Sequence, residues 1–406
     1  MKKLIYSRKE SDREGLSQVI CMNIGIDKIG FASPNYVLNL ADLARARDID
    51  PNKFTVGLLQ EQMAVSPCTV DIVTLGAQAA DSILTDQDKE DIDMVILGTE
   101  SGIDQSKAAS VFIHNLLNIQ PFARSIEIKE ACYGATAALS MARAHINQFP
   151  QSKVLVLASD IARYGIGSSG EATQGAGAIA MLVSQDPAIL TLHTDNVYQT
   201  RDIMDFWRPN YREYPLVEGR YSTTQYIDCL KTTFARYQEK GGLALDQIAA
   251  MVFHIPFSKQ GLKGLEKIAK KSLEFPRLKD RFMEAIRYNQ IVGNIYTGSL
   301  FLSFLSLIEN SQDLKAEDNI LFYSYGSGAV CEIFSGQLVA GYKDRLKTNR
   351  LEELRQRQVL SVKEFEALFF QSIGLDDQGN SPLLTETAQA YELVQIKEHK
   401  RIYHKK

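Results

Sequence analysis

The sequence of 406 residues lacks the cysteine and histidine patterns that build a disulfide framework or a structural metal site. Its five cysteines are an odd, widely spaced set at positions 21, 68, 132, 229 and 331. None of them forms a CxxC motif or a cysteine–histidine pair at zinc spacing, so neither structural disulfides nor a metal ion is expected. Reduced thiols in a cytoplasmic enzyme fit this composition better. The remaining question is whether one of the thiols carries out chemistry.

The sequence also lacks a long apolar run and an excess of charge of one sign. The most apolar stretch, residues 300–308, is too short to span a membrane, and the apolar run at the N-terminus breaks at Ser7 before it could form a signal peptide. The 45 lysines and arginines against 49 aspartates and glutamates give a net charge of -4, which implies no polycationic surface. We therefore expect neither a membrane segment nor a nucleic-acid partner.

The sequence does contain an alternation of strand-like and helix-like segments, which predicts a layered α/β fold. In the first part of the chain, short apolar runs predict buried strands at 93–98, 153–160 and 177–183. Helical patterns occupy 71–84, 106–117 and 135–148.

The second part of the chain repeats this scheme. Strand-like runs recur at 250–255, 319–324 and 328–334, and a segment at 293–299 opens an apolar helix. Any α/β chain contains some similar segments by chance. Here a strand, a helix start and a glycine hairpin recur in the same order, which favours an internal duplication. We predict a polar arm over residues 1–21, one half over 22–190 and a second half over 191–406. We interpret the basic C-terminal segment as a solvated tail or the end of a surface helix.

Among the five thiols, Cys132 has the surroundings of a nucleophile. A short strand leads to the segment Glu130-Ala131-Cys132-Tyr133-Gly134, where a helix of small residues begins. A helix N-terminus stabilises a thiolate, and its N–H groups can hold an oxyanion, so this position suits acyl transfer. Burial in the core, the commonest role of a free cysteine, fits the other four thiols.

Glu100 and His254 follow predicted strands at equivalent places in the two halves. Active sites of α/β proteins form at the carboxyl ends of parallel strands, and a desolvated carboxylate there gains the raised pKa of a general acid or base. Taken alone, Glu100 would be interpreted as a solvated loop residue and His254 as a core histidine. The repeat makes both of them candidates, because it would bring the two strand ends to one cavity.

Other residues near these segments are candidates for substrate binding. Asn294 begins the helix that mirrors the one after the nucleophile, although a simple N-cap would also explain it. Ser327 lies between glycines that let backbone N–H groups approach a ligand, or that only form a turn. Lys259 and Lys263 form a helical pair that could hold a phosphate or lie on the surface. Tyr164 precedes a glycine-rich loop without dinucleotide or Walker spacing, which we interpret as a pocket wall.

Six motifs in order give the chain a resemblance to a known family. They are Gly98-Thr99-Glu100-Ser101, Glu130-Ala131-Cys132-Tyr133-Gly134-Ala135-Thr136-Ala137, Asp205-Phe206-Trp207-Arg208-Pro209, Phe253-His254-Ile255-Pro256, Gly293-Asn294-Ile295-Tyr296-Thr297-Gly298-Ser299 and Ser324-Tyr325-Gly326-Ser327-Gly328. Each motif alone would be suggestive, and six in order over residues 22–345 are specific. The chain resembles the 3-hydroxy-3-methylglutaryl-CoA (HMG-CoA) synthases of the thiolase superfamily, and its compact length is similar to that of the bacterial branch. The segment from about 350 onward matches the pattern only loosely.

This resemblance implies a thiolase-like five-layered αβαβα fold made of two pseudo-equivalent halves, usually in a homodimer. It also implies that acetyl-CoA condenses with acetoacetyl-CoA to give HMG-CoA, a step of the mevalonate pathway, without a metal or redox cofactor. By position, Cys132 would take the acetyl group, Glu100 would remove a proton from its methyl group and assist hydrolysis, and His254 would polarise the acetoacetyl group. The residues implied to bind the substrates are Asn294, Ser327, Thr173, Ser222, Lys259, Lys263 and, near the adenine, Asp50. We add Tyr164 as a substrate-binding candidate from its place before the glycine-rich loop.

Three alternatives stay open. A relative that acts on carrier-protein-bound acetyl groups in polyketide β-branching would use the same three catalytic residues. A ketoacyl-carrier-protein synthase fits less well, because that family uses Cys-His-Asn and has no counterpart of Glu100. A non-catalytic acyl-CoA-binding scaffold would have no reason to keep Cys132, Glu100 and His254 together.

Overall fold

This computed structural model describes residues 22–384 and 387–406. Its central element is a ten-stranded mixed sheet. The predicted polar arm and Cys21 lie outside those ranges. The strands are β1 (Ile24–Ala32), β2 (Tyr36–Asn39), β3 (Gln62–Val65), β4 (Ile92–Gly98), β5 (Arg124–Ile128), β6 (Lys153–Ala162), β7 (Gly175–Gln185), β8 (Leu190–Leu192), β9 (Val197–Thr200), β10 (Phe206–Trp207), β11 (Leu216–Val217), β12 (Ile248–Phe253), β13 (Asn319–Gly326), β14 (Val330–Leu338), β15 (Gln358–Leu360), β16 (Tyr391–Lys397) and β17 (Lys400–Lys405).

Helices cover both faces of this sheet. They are α1 (Leu40–Ala46), α2 (Asn52–Thr55), α3 (Ile72–Asp81), α4 (Asp86–Asp91), α5 (Ala109–Leu116), α6 (Gly134–Gln148), α7 (Gly219–Glu239), α8 (Ser258–Ala269), α9 (Phe275–Ala285), α10 (Arg287–Val292), α11 (Ser299–Asn310), α12 (Arg350–Arg355) and α13 (Val362–Phe369). The layered α/β fold predicted from the alternating pattern is confirmed.

The strand pairing repeats, as the sequence pattern predicts. In the first half, β4 is parallel to β6, and β6 is antiparallel to β7. In the second half, β12 is parallel to β13, and β13 is antiparallel to β14. Helices α6 and α11 occupy equivalent places between the paired strands of each half. The short strand β8 pairs with both β1 and β14, so it joins the two halves into one sheet.

The most apolar stretch of the sequence forms the buried helix α11. All residues from Ser299 to Ile308 are buried, and this helix contacts β12 and β13. A single core cluster contains Val95 and Leu157 from the first half together with Phe301 and Phe322 from the second. No helix in the described part of the chain is long and apolar enough to cross a membrane.

The helix predicted over 106–117 starts later, at Ala109. The Asp104 carboxylate accepts hydrogen bonds from the backbone N–H groups of Ser106 and Lys107, both at 2.8 Å, and these bonds hold a turn there. Ala109 then donates its N–H to the Glu127 carboxylate at 2.8 Å. The Asp104 turn therefore precedes the helix, and the Glu127 carboxylate satisfies the first N–H of the helix, which has no intrahelical acceptor.

The basic C-terminal segment is neither a solvated tail nor the end of a helix, so that prediction is wrong. Strands β16 and β17 form an antiparallel hairpin that contacts α3 and α5. Arg401 and Tyr403 both donate to Oδ2 of Asp71, at 3.1 and 2.6 Å, and the other oxygen of Asp71 caps α3. The hairpin is thus anchored by a partly buried ion pair.

Candidate active site

Cys132 lies in the short connection between strand β5 and helix α6. The chain leaves β5 at Ile128, and α6 begins at Gly134, two residues after the cysteine. Ala131, directly before Cys132, has a φ of 40°, in the left-handed region that residues with a Cβ seldom adopt. The thiol is buried, and its Sγ donates a hydrogen bond to Oε1 of Glu100 at 3.0 Å. The predicted nucleophile therefore has a carboxylate in direct contact.

A second carboxylate, Asp160, holds the backbone of Glu100 in place. Asp160 is fully buried near the end of β6, and its Oδ1 accepts the Glu100 backbone N–H at 2.9 Å. The Thr99 hydroxyl donates to the same oxygen at 2.8 Å. The other oxygen accepts the backbone N–H and the hydroxyl of Thr297, at 3.2 and 2.9 Å. Because Thr297 belongs to the second half, Asp160 connects the strand end that carries Glu100 to the segment that carries Asn294.

Burial controls the protonation of the contact between Cys132 and Glu100. Burial raises the pKa of Glu100 to about 8, and repulsion from the Asp160 carboxylate adds to this shift. The pKa of the Cys132 thiol lies well above its ordinary value, first because the thiol is buried and then because the Glu100 carboxylate lies beside it. The expectation of a thiolate stabilised by the helix N-terminus is therefore wrong. In this geometry the thiol can instead give its proton to Glu100 as the sulfur attacks.

His254 follows β12 and belongs to the opposite half of the molecule. Its backbone N–H donates to Tyr323 at 2.8 Å, and its backbone oxygen accepts the Tyr226 hydroxyl at 2.9 Å, so the residue is fixed at both ends. The ring is buried, and its Nδ1 has no hydrogen-bond partner among the described residues. Burial lowers the pKa of His254 to about 3. The imidazole is therefore neutral at physiological pH, and it can form hydrogen bonds but carries no charge.

The Asn294 side chain both holds the turn that follows it and lines the site, whereas the N-cap position of α11 is occupied by Gly298. Its Oδ1 accepts the backbone N–H of Tyr296 and the hydroxyl of Ser299, both at 2.9 Å. Its Nδ2 donates to the Tyr164 hydroxyl at 3.2 Å. The rings of Tyr164, Tyr296 and Phe206 pack edge-on or tilted around this point, with centroids about 6 Å apart. This cluster gives the space near Cys132 an aromatic wall.

Ser222 and the turn that contains Ser327 are held by Asp205. The Asp205 carboxylate accepts bonds from the Ser222 hydroxyl at 3.2 Å, the Tyr325 hydroxyl at 2.7 Å and the Gly328 backbone N–H at 2.9 Å. Asp205 is fully buried, so it fixes these three donors relative to one another. The Asp205-Phe206-Trp207-Arg208-Pro209 motif thus supplies both a structural carboxylate and an aromatic wall residue.

A cavity of about 530 Å³, here called the main cavity, brings most of the predicted residues together. Those that line it are Cys132, His254, Asn294, Ser327, Tyr164, Thr173 and Ser222. Glu100 does not line it and is connected to it through the contact with Cys132.

Three of the predicted substrate-binding residues also lie outside the wall of the main cavity. The Lys259 ammonium donates to the backbone oxygen of Val56 at 3.1 Å. Lys263 is exposed, with its nitrogen 5.5 Å from the ring centroid of Phe257, which does line the cavity. Asp50 is exposed, and its carboxylate accepts the Asn52 backbone N–H at 2.9 Å. Contacts between these side chains and a substrate stay predictions.

Sequence reasoning missed two sets of site residues. Asp160 could have been found, because it lies near the carboxyl end of a predicted strand as Glu100 does. The cluster formed by Arg47, Glu171 and Glu366 could not, since its members are 124 and 319 residues apart in the chain. The Arg47 guanidinium pairs with both carboxylates, at 2.7 and 2.6 Å, and Arg47 and Glu171 line the main cavity.

Neither the fold nor the site shows the donor set of a metal centre. Among residues 22–384 and 387–406, no group of three or more His, Cys, Asp or Glu side chains could hold a metal ion. What the site does contain is a thiol, a carboxylate and a neutral imidazole at strand ends of two repeated halves. Together with the repeated sheet topology, this arrangement defines the class: a thiolase-like enzyme, in which Cys132 stays the predicted nucleophile.

Comparison with known proteins identifies the family. Two family models match, the hydroxymethylglutaryl-coenzyme A synthase N-terminal model over residues 20–188 and the C-terminal model over 189–271 and 263–405. The hydroxymethylglutaryl-CoA synthase of Enterococcus faecalis is 52% identical over 358 residues, which cover 87% of this chain and 94% of that protein. The polyketide-biosynthesis 3-hydroxy-3-methylglutaryl-ACP synthase PksG of Bacillus subtilis is 32% identical, with 86% and 88% covered.

A solved structure agrees with these matches. The crystal structure of an HMG-CoA synthase complexed with CoA has 57% sequence identity and a TM-score of 0.93, and the match covers 95% of this chain and all of that one. The chain belongs to the hydroxymethylglutaryl-CoA synthase family, and its fold is the thiolase-like fold of that family. The C-terminal match extends to residue 405 and so includes the segment from about residue 350 onward.

Proposed function

We propose that the chain condenses acetyl-CoA with acetoacetyl-CoA and water to give HMG-CoA and CoA, through an acetyl group on Cys132. The observation that supports this proposal most strongly is the 3.0 Å contact between the Cys132 thiol and the Glu100 carboxylate. His254 and Asn294, contributed by the other half, line the same main cavity. Membership of the HMG-CoA synthase family, which acts in the mevalonate pathway, supports the choice of substrates.

In the first step, the Cys132 sulfur attacks the thioester carbon of acetyl-CoA. Its proton passes to Glu100, the bond between the carbonyl carbon and the CoA sulfur breaks, and the departing CoA thiolate takes that proton. The products are acetyl-Cys132 and free CoA. Backbone N–H groups at the start of α6 are the candidates to hold the oxyanion.

In the second step, Glu100 removes a proton from the acetyl methyl group, and the resulting carbon nucleophile attacks the ketone of acetoacetyl-CoA. The neutral imidazole of His254 donates a hydrogen bond to the ketone oxygen, which stabilises the alkoxide as it forms. The proton held on Glu100 ends on that oxygen. The product stays attached to Cys132 as a thioester until water hydrolyses it.

Binding of the substrates is assigned to the walls of the main cavity and to residues near it. Asn294, Ser327 and Tyr164 would position the acetoacetyl group, and Thr173 and Ser222 would contact the thioester and pantetheine. Lys259, Lys263 and Asp50 would contact the phosphates and the adenine. The chemistry as written balances without a metal or redox cofactor, so we propose none beyond the CoA thioester substrates.

The proposal is tested by measuring loss of acetoacetyl-CoA in the presence of free acetyl-CoA. We expect turnover by the wild-type chain and none by Cys132→Ser, since the serine hydroxyl is a much poorer nucleophile. If free acetyl-CoA gave no turnover while a carrier-protein-bound acetyl group did, the polyketide β-branching function would replace the one proposed. The lower identity to PksG favours the CoA-dependent function.

We further propose a cytoplasmic homodimer. Within the described part of the chain, strand β5 is at the edge of the ten-stranded sheet and pairs only with β4, which leaves its outer side as a candidate surface for pairing with a second copy. Phe122, two residues before the strand begins, is 91% exposed, and Ile126 within the strand is also exposed. Sedimentation equilibrium should give a dimer for the wild-type chain and a monomer for the double variant Phe122→Asp/Ile126→Asp. A wild-type monomer at micromolar concentration would contradict the proposal.

A further inference from the structure

A second cavity, of about 680 Å³, meets the active site at Glu100. Its wall includes Glu100 and the two residues that follow, Ser101 and Gly102, whereas Cys132 and His254 line the main cavity. The contact between Cys132 and Glu100 therefore connects the two cavities. The mechanism above assigns no role to this second cavity.

The segment that begins at Phe206 separates the two cavities. Phe206 lines the main cavity and packs against the Tyr164 ring, with centroids 5.9 Å apart. Arg208 and Pro209 line the second cavity, and the Arg208 guanidinium donates to the backbone oxygen of Glu100. One short stretch of chain thus has an aromatic side toward the thioester site and a polar side toward the second cavity.

The second cavity has the lining of a water-filled space rather than of an anion site. Five basic residues line it, Lys129, Arg163, Arg208, Arg212 and Arg401. Five acidic residues balance them, Asp71, Glu100, Asp104, Glu127 and Glu213. A site for phosphate or for a second CoA would carry an excess of positive charge. Balanced, hydrogen-bonding walls instead favour ordered water.

The proposed reaction needs water at a stage when the main cavity is occupied. In the proposed reaction the CoA portion of the condensed product would occupy the main cavity, whose wall near Cys132 includes the rings of Tyr164, Tyr296 and Phe206. Water arriving from that side would have to pass the product. Glu100 is the group that activates the water, and it also lines the second cavity.

We infer that the hydrolytic water reaches Glu100 through the second cavity, while both CoA thioesters use the main cavity. This inference rests on the proposed function. Glu100 takes a proton from the water, and the oxygen attacks the thioester carbon. The bond from that carbon to Cys132 Sγ breaks, and the sulfur takes the proton back from Glu100. The products are the free carboxylic acid and the regenerated thiol.

A substitution that fills the second cavity tests this route. Gly102 lines the second cavity two residues after Glu100, and a Cβ added to it would meet the Glu127 carboxylate at 3.0 Å and no other heavy atom of the described residues within 4 Å, so Gly102→Phe adds bulk to the wall of this cavity. We expect hydrolysis of acetyl-Cys132 and release of HMG-CoA to slow at least about tenfold, while acetylation by acetyl-CoA stays within about twofold of wild type. Intact-protein mass spectrometry follows both steps. Leu273→Phe, at a position that is 96% exposed, is the control for added bulk.

The unaltered protein provides a second test. Cys68 lines the second cavity and is only partly buried, whereas Cys229 and Cys331 are buried. With Cys132 protected as its acetyl thioester, N-ethylmaleimide should add to Cys68 and slow deacetylation. Cys68→Ala should remove that effect of the reagent.

The inference is overturned if deacetylation keeps its wild-type rate in Gly102→Phe and in the N-ethylmaleimide-treated protein. It is also overturned if acetylation slows in parallel with deacetylation, because the second cavity would then have only a structural role. Failure of the wild-type chain to acetylate Cys132 at all would instead contradict the proposed function.

Discussion

At the scale of single residues, the raised pKa of Glu100 sets the pH dependence of acetyl transfer. A general base must be unprotonated, and with a pKa of about 8 the Glu100 carboxylate forms as the pH rises through that value. We expect the rate of Cys132 acetylation at low acetyl-CoA to rise about tenfold per pH unit between about pH 6 and 8 and then to level off. His254 adds no inflection in this range, because its pKa is lowered to about 3.

Glu100→Gln is the matched variant for that profile, since it keeps the shape of the side chain and removes its titration. The inflection near pH 8 should disappear, together with most of the rate. A wild-type rate that is flat or falling between pH 6 and 8 would show that another group is the base.

The same burial also predicts a pH-dependent stability effect. The pKa of Glu100 is raised from 4.5 to about 8, so the folded state keeps a proton that the unfolded state loses between these pH values. Stability from this group is present below pH 4.5 and is lost as the pH rises through 8. Glu100→Gln should therefore raise the free energy of unfolding relative to wild type by about 1–3 kcal/mol more at pH 9 than at pH 5. Urea titrations at the two pH values measure this, and an equal difference at both would refute it.

The sequence identified site residues where a strand end and a repeat could be recognised. Cys132, Glu100, His254 and Asn294 all follow from that logic. The protonation state of Cys132 could not be predicted in this way. The helix dipole can be inferred from the sequence, whereas the burial of the thiol and the nearby carboxylate, which raise its pKa, exist only after folding.

At the scale of elements, the close approach of β4 to α6 positions the nucleophile. A Cβ on Gly98 would lie 2.4 Å from the backbone nitrogen of Ala135, which neither element can accommodate without moving. We expect Gly98→Ala to destabilise the protein by about 1–3 kcal/mol and to lower the acetylation rate, since a displaced α6 moves Cys132 away from Glu100. Chemical denaturation and mass spectrometry measure the two effects.

Gly374→Ala provides the control for that prediction. No heavy atom lies within 4 Å of a Cβ built there, so both stability and rate should stay close to wild type. If Gly98→Ala had the stability and the acetylation rate of the wild type, the prediction would be wrong, because the start of α6 could then move without displacing Cys132 from Glu100.

The elements with clear apolar periodicity were predictable, and those set by distant side chains were not. The core strands and α6 begin and end within a few residues of their predicted bounds. The C-terminal hairpin depends on Asp71, which is 330 residues from its partner Arg401, and no local pattern reveals that pairing.

At the scale of the whole molecule, the two halves share one sheet and one large core cluster, so they should unfold together. Strand β8 pairs across the junction, and one core cluster contains residues from both sides. The single tryptophan, Trp207, lies in the hairpin beside the active site and reports on local structure. We expect tryptophan fluorescence and far-ultraviolet circular dichroism to give the same denaturation midpoint. Two separate midpoints would indicate that the halves are independent.

The repeat itself was visible in the sequence, because strand, helix start and glycine hairpin recur in the same order. The division near residue 190 stays a prediction, since β8 belongs to the pairing of both halves. The shared core could not be inferred, because periodicity shows which side of an element is apolar but not which neighbour covers it.

The central claim is that Cys132 is the nucleophile and Glu100 its base. Mixing the protein with acetyl-CoA, followed by proteolysis and peptide mass spectrometry, tests it most directly. We predict one acetyl group on the peptide that contains Cys132, and its transfer into HMG-CoA when acetoacetyl-CoA is added. Glu100→Ala should still become acetylated, slowly, but should not condense. An acetyl group on any other cysteine, or full condensation by Glu100→Ala, would contradict the account.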